Sequence, residues 1–258
     1  MNTKRVFQAA VAVMVLFSLS QTSRADLFEQ FDYTAGQDVN AANSAWSTGF
    51  DIVSPGLQHA SLDGETGNAA QENQSNRSTI SLGATYGDEN ETVYLSFLAR
   101  FTSIDNDPFN TIELYNGGTR EYAIGLLRND GNSSDEQFEH RDYDLANSST
   151  PDLGVFNTNV NLFVVKFTYT SGGDALTIDA WLNPDDLTDL NAASNRITRA
   201  SGAFDFDALA MAAFATDAMV TFDEIRVATT APTLLPVPAA MPAGLMMFGL
   251  LAMRRRSH

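Results

Sequence analysis

The sequence predicts an all-β protein folded as an antiparallel β-sandwich, and two stretches carry that expectation. Between Thr92 and Thr102, Val93, Leu95, Phe97, Ala99 and Phe101 alternate with Tyr94, Ser96, Leu98 and Arg100. Period two over that length describes a strand with one buried face, since a helix would space its apolar residues three and four apart. Farther on, Leu162 to Thr170 and Ala175 to Leu182 flank Ser171-Gly172-Gly173-Asp174. The glycines of that loop adopt positive φ without a Cβ clash, so the two arms read as a hairpin. Short strands punctuated by Gly, Asn and Asp turns, with no repeated helices between them, point to two packed antiparallel sheets.

The chain opens with Lys4 and Arg5, an almost wholly apolar run from Val6 to Leu19, and Ser23-Arg24-Ala25 followed by Asp26. A charged start, a short apolar middle and small residues before the junction describe a secretory signal peptide over residues 1–25, cleaved between Ala25 and Asp26. Leu27 to Tyr33 reads as the first strand. Gly36 to Phe50 reads as a loop containing Trp46, and Pro55 to Asn76, rich in Gly, Ser, Asn and Gln, has room for one or two short strands. After the alternating strand come Thr111 to Tyr115 and Glu121 to Arg128, separated by Asn116-Gly117-Gly118. Asn129 to Pro151 reads as a polar insertion. The hairpin is stopped by Asn183-Pro184-Asp185-Asp186, and Leu187 to Ala193 suits a short helical turn because two aspartates favour a helix start. Strands at Ala208 to Thr216 and Met219 to Val227 complete a single domain over residues 26–233, without internal repeats.

Residues 234–258 differ from everything upstream. A proline cluster precedes a charge-free run, Ala239 to Met253, and Arg254, Arg255 and Arg256 follow. As a helix, those 15 residues reach about 22 Å, short of a hydrocarbon core near 30 Å. Leu234 to Pro238 and snorkelling arginines would extend the reach. The arginines would stay on the cytoplasmic side, leaving the body outside.

This tail resembles the PEP-CTERM sorting signal of Gram-negative bacteria, with Val237, Pro238, Ala239 and Ala240 in the motif position. The usual Glu between prolines is absent, so the similarity is to the Ala-containing variant. The resemblance implies recognition and cleavage by an exosortase-type enzyme, after transient anchoring in the inner membrane. The body resembles concanavalin A-like (LamG-like) jelly-roll domains. That similarity rests on Phe28-Glu29-Gln30-Phe31-Asp32-Tyr33, the strand at 92–102, and Phe222-Asp223-Glu224-Ile225-Arg226-Val227. It implies that the first and last strands lie side by side; with the terminal segments added, the expected fold is a jelly-roll sandwich flanked by an N-terminal signal helix and a single C-terminal apolar helix.

Charge and composition narrow the function classes. All 32 acidic residues but only nine of the 15 basic ones lie in the body, a balance of −23 against −17 for the whole chain. So negative a body repels phosphate backbones and excludes nucleic acid as a partner. The absence of cysteine excludes a thiol nucleophile, a Cys-ligated zinc and an iron–sulfur cluster.

Laminarinase-type relatives of this sandwich carry catalytic acids on one strand as Glu-x-Asp-x-x-Glu, which does not occur here. Retaining hydrolysis needs two carboxyls about 5 to 5.5 Å apart. Asp223-Glu224 would set its two on opposite faces, and Asp179 lacks a second acid two or four residues on. No Gly-x-Ser-x-Gly motif occurs, and His140, in Glu139-His140-Arg141-Asp142, reads as an exposed loop residue. The expectation is a protein that is not an enzyme. No cofactor is expected other than calcium as an option, for which Asp105-Asn106-Asp107 and Asp130-Gly131-Asn132 set oxygen ligands on turns; Asp105, Asp107, Asp130 and Asn132 are the candidate ligands. For a polysaccharide, Trp46, Tyr115 and Tyr143 are the candidate platforms beside loops. The chain reads as an exported cell-surface or extracellular-matrix protein that binds polysaccharide without cleaving it; the alternatives are a secreted glycoside hydrolase with a divergent active site and a purely structural matrix component.

Overall fold

The computed structural model describes residues 26–62, 67–102, 109–127, 137–143, 152–171, 175–214 and 219–230. The signal segment, the sorting tail with its motif and arginines, and the four candidate calcium ligands lie outside the described residues. Among the described residues no helix is long and apolar enough to cross a membrane.

In chain order the elements are β1 (Leu27–Glu29), α1 (Val39–Ala42), β2 (Asp51–Val53), β3 (Ala69–Glu72), β4 (Asn76–Tyr86) and β5 (Thr92–Phe101). Then follow β6 (Phe109–Asn116), β7 (Thr119–Leu127), β8 (Gln137–Asp142), β9 (Asp152–Val155) and β10 (Asn161–Tyr169). The last four are β11 (Ala175–Leu182), β12 (Arg196–Gly202), β13 (Phe206–Ala213) and β14 (Val220–Ala228). They form two antiparallel sheets. The eight-stranded sheet runs β12-β11-β10-β5-β14-β3-β2, with β1 added to β14, and the six-stranded sheet runs β4-β13-β6-β7-β8-β9.

The expected two-sheet sandwich is present, and so are its alternating strand and its hairpin, where Phe163 pairs with Leu182 and Tyr169 with Leu176. Period two places Val93, Leu95, Phe97, Ala99 and Phe101 in the interior, where they meet Ile112, Leu114, Ile124 and Leu126 from the facing sheet. Aromatic rings pack both within and between the sheets. Phe97 stacks on Phe163 with centroids 4.8 Å apart, and Phe138 meets Phe163 edge-on at 5.4 Å. Burying each such ring contributes about 2 to 3 kcal/mol.

The eight-stranded sheet is covered on its other face as well. Leu98, Leu162, Val164 and Trp181 pack beneath Leu57 and Leu62 from one loop and Leu187, Leu190 and Ala193 from another. Burial on both sides explains the unbroken apolar run Leu162-Phe163-Val164-Val165. The expected short helical turn at 187–193 is present as one turn. There the N–H groups of Ala192 and Ala193 both donate to the Asp189 carbonyl, a single turn that lays its leucines on the sheet and goes no further.

First and last strands do pair, with Leu27 opposite Val227 and Glu29 opposite Ile225. β1 ends at Glu29, short of the expected Tyr33, because Phe31 turns the chain with φ of 52°. On its far side β14 pairs with β5 at Val220–Asp223 and again at Arg226–Ala228; on its near side it meets β3 at Val220–Phe222 and β1 at Ile225–Val227. At the handover the register on β5 shifts between Asp223 and Arg226, and Glu224 takes φ of 51°. This is a β-bulge, one extra residue that breaks the alternation. The two carboxylates are therefore not set on opposite faces by simple alternation. Glu224 accepts a hydrogen bond from Arg226 at 2.6 Å, while Asp223 accepts the N–H of Leu57 at 2.8 Å.

Candidate functional site

Along β6 the residues Asn110, Ile112 and Leu114 turn inward, which sends Phe109, Thr111, Glu113 and Tyr115 to the outer face of the six-stranded sheet. The strands on either side are stripped of bulk. On β13, Ala208, Ala210 and Ala212 stand opposite Tyr115, Glu113 and Thr111. On β7, Ala123 stands opposite Glu113 and Gly125 opposite Thr111. Gly125 has φ of 148°, and a Cβ there would lie 2.4 Å from the Asn110 carbonyl oxygen, so the sheet admits no side chain at that point.

Small neighbours let long side chains cross the sheet to Glu113. Arg77 on β4 lies opposite Ala212 and reaches over it, placing its Nε 2.7 Å from Glu113 Oε2 and its Nη2 3.4 Å from Oε1. Arg120 on β7 donates from Nη1 to Oε1 at 2.6 Å. Unbroken alternation would have sent Arg120 inward with Tyr122, but the register of β7 shifts by one residue at Glu121 and re-aims it outward. The Tyr115 hydroxyl donates to Oε2 at 2.7 Å. Burial, and then the hydrogen bond to Glu113, push that phenol far above its ordinary value.

Glu113 itself is fully buried, while the side chains of Arg77 and Arg120 keep 36% and 30% of their surface in solvent. Each guanidinium is framed by rings. Arg77 lies 5.0 Å from the Phe214 centroid and 5.7 Å from that of Tyr115; Arg120 lies 4.9 Å from Phe109 and 4.0 Å from Tyr143. All four rings are half-buried. Thr111 completes the floor, its hydroxyl buried and without a partner among the described residues. The result is an outer layer of alternating guanidinium groups and aromatic rings, pinned from below by one carboxylate.

Of the three expected aromatic platforms, Tyr115 and Tyr143 belong to this layer. Trp46 does not. It lies in the core at 1% exposure against Phe31, with its indole N–H donating to Glu29 at 3.0 Å, so it has no face to offer a ligand. Arg77 is distant in sequence from Glu113 and Arg120, which sit on the two arms of the β6–β7 hairpin. Only the run of alanines on β13, 208, 210 and 212, hints that something larger lies across it.

His140 is also placed differently from the exposed loop expected for it. β8 runs through the stretch read as a polar insertion, and Phe138, His140 and Asp142 share its inner face. Neither ring nitrogen of His140 has a hydrogen-bond partner among the described residues, nor has the Tyr122 hydroxyl beside it. Burial, and then the charge of Arg199, hold the imidazole down to about 4. The Ser201 hydroxyl donates to Asp142, and His140 bonds to neither, so no proton relay joins them. Among the described residues no group of three or more His, Asp or Glu side chains is placed to hold a metal ion.

No family model matches the sequence, and no curated protein matches it. Among solved structures, the globular domain of T. cruzi calreticulin is similar with a TM-score of 0.51 at 10% identity, over 83% of this chain and 91% of that one. The carbohydrate recognition domain of Emp46p in a metal-free form (TM-score 0.45, 10% identity, 78% and 95% covered) is more distant. So is the lectin UEA-II complexed with galactose (0.43, 8%, 80% and 99%). At such identities the likeness concerns the course of the chain and not its ligand.

Proposed function

We propose that this chain is an exported bacterial cell-surface or extracellular-matrix protein whose jelly-roll body binds polysaccharide without cleaving it, through the outer face of the six-stranded sheet. The observation that carries the reading is the layer made by Arg77, Arg120, Phe109, Tyr115, Tyr143 and Phe214 over the buried Glu113. Aromatic rings take the apolar faces of sugar rings, and guanidinium groups hydrogen-bond their oxygens. A broad sheet face suits a polymer that lies along it.

Export rests on the signal segment and the tail. In this reading an exosortase-type enzyme cleaves near Val237-Pro238-Ala239-Ala240 while Arg254, Arg255 and Arg256 hold the tail at the cytoplasmic side of the inner membrane.

A glycan array probed with the full chain, with and without calcium, tests the binding. Retention of at least one polysaccharide is expected, with loss in an Arg120→Ala variant; binding to no glycan overturns the reading. Release of reducing sugar from β-glucans would overturn the non-catalytic part. Replacing Arg254, Arg255 and Arg256 with Ala is expected to leave unprocessed chain in the membrane, and unchanged surface delivery would count against the sorting route.

A further inference from the structure

We propose that the outer face of the six-stranded sheet selects acidic glycans, receiving their carboxylates on the unspent N–H donors of Arg77 and Arg120. The inference rests on the glycan-binding reading above and narrows its ligand class.

A neutral sugar presents hydroxyls that both donate and accept, so a site for it needs exposed acceptors as well as donors. The central acceptor on this face is withdrawn. Glu113 is fully buried, its Oε1 accepts from Arg120 and Arg77, and its Oε2 accepts from Arg77 and Tyr115. What stays at the surface is the donor side of those pairs. Among the described residues, Arg77 commits its Nε and Nη2 to Glu113 and keeps Nη1; Arg120 commits Nη1 and keeps Nε and Nη2. A planar guanidinium edge with spare donors matches a carboxylate geometrically.

The distribution of charge supports the same ligand. The body has nine basic residues against 32 acidic ones. Three of the nine gather on this face, because Arg141 on β8 stands opposite Ala123, next to Glu113 in the cross-strand row. Among the described residues, the acidic positions beside them include the buried Glu113, the buried Glu139, Asp152 opposite Glu139 on β9, and the half-buried bulge residue Glu121. Elsewhere the strongly acidic surface repels an anionic polymer, so a polyuronate has reason to lie where the guanidinium groups are. The flanking rings of Phe109, Tyr115, Tyr143 and Phe214 would pack on the apolar faces of its sugar units.

The test compares polygalacturonate with its fully methyl-esterified form, the same backbone with each carboxylate capped, binding the full chain in EDTA to prevent calcium bridging. At least about tenfold tighter binding of the free acid is expected, the scale of one charge-assisted hydrogen bond. A double variant, Arg77→Lys with Arg120→Lys, keeps both positive charges beside Glu113 but removes the spare guanidinium edges. It is expected to retain its melting temperature within a few degrees while losing most of the preference for the acid. Equal affinity for both polymers, or an undiminished preference in the folded double variant, overturns acid selectivity and leaves the glycan reading standing. Failure to bind either polymer while a neutral glycan is retained on the array overturns it too. Failure to bind any glycan overturns both.

Discussion

The indole nitrogen of Trp46 lies 3.0 Å from Oε2 of Glu29, joining a tryptophan in the first long loop to a carboxylate on the first strand. The same oxygen accepts the Tyr33 hydroxyl at 3.0 Å, and Oε1 accepts the N–H of Phe31. A buried carboxylate with several donors is a hub that fixes the chain around it.

Trp46→Phe removes one donor from that hub and keeps a ring in the core. A loss of about 2 kcal/mol is expected, the scale of a hydrogen bond to a charged group. Urea unfolding measures it. Polysaccharide binding should not change, because Trp46 is remote from solvent; weakened binding in the folded variant would contradict that placement.

Glu113→Gln leaves two guanidinium groups facing a neutral amide. Breaking a buried pair is costly, but Arg77 and Arg120 are about one-third exposed and water screens them. A loss of about 2 kcal/mol is expected on that balance. Denaturant midpoints at low and high salt measure it, and a gain in stability would show that the arginines do not depend on the carboxylate.

How much of this was legible beforehand depends on whether a residue's neighbours lie close in sequence. β5 and the β10–β11 hairpin were readable because one strand carries its own pattern and one turn its own glycines. β4, β8 and β12 were not. Their inner faces are broken by polar groups, such as Ser78, His140 and Ser201, and those find their burial in strands distant in sequence. The candidate site is a cross-strand row from β4 to β8, and no local window contains Arg77, Glu113 and Arg120 together. The bulges at Glu121 and Glu224 reverse the facing that alternation alone assigns.

Gly125→Ala tests whether the floor beneath that row tolerates any side chain. The new methyl would meet the Asn110 carbonyl oxygen at 2.4 Å and the Thr111 Cα at 3.0 Å, at a φ that L-residues rarely adopt. Backbone cannot swing aside as a side chain would. A loss of about 2 to 4 kcal/mol is expected from strain and overpacking together, read as a lower melting temperature, whereas an unchanged one would mean that β6 and β7 separate easily.

Stability should fall in mild acid because of His140. Its imidazole is held at about 4 when folded, against about 6.5 in an unfolded chain. The unfolded state therefore takes up a proton as pH drops below 6.5 while the folded state resists until near 4. The contribution is fully present above the unfolded value and is lost across that window, to a total of about 3 kcal/mol. Arg199 and Asp142 lie close by with opposite charges, with Tyr122 beside the ring. Urea midpoints from pH 7.5 to 4 should show the decline, and His140→Phe should flatten it. An equally steep decline in that variant would assign the effect to the carboxylates.

The place of β14 bears on the order in which the molecule can be assembled. It is the last described strand to be synthesised, yet it lies inside the eight-stranded sheet, with β5 on one side and β3 and β1 on the other. Until residues 220–228 emerge, the hairpin half of that sheet and the half bearing the amino-terminal strands have no common border. A nascent chain thus holds three unjoined pieces of that sheet, since β1 pairs with β14 alone, and long-range closure of this kind is slow and comes late. A chain stopped at residue 219 would lack a seam, not an edge.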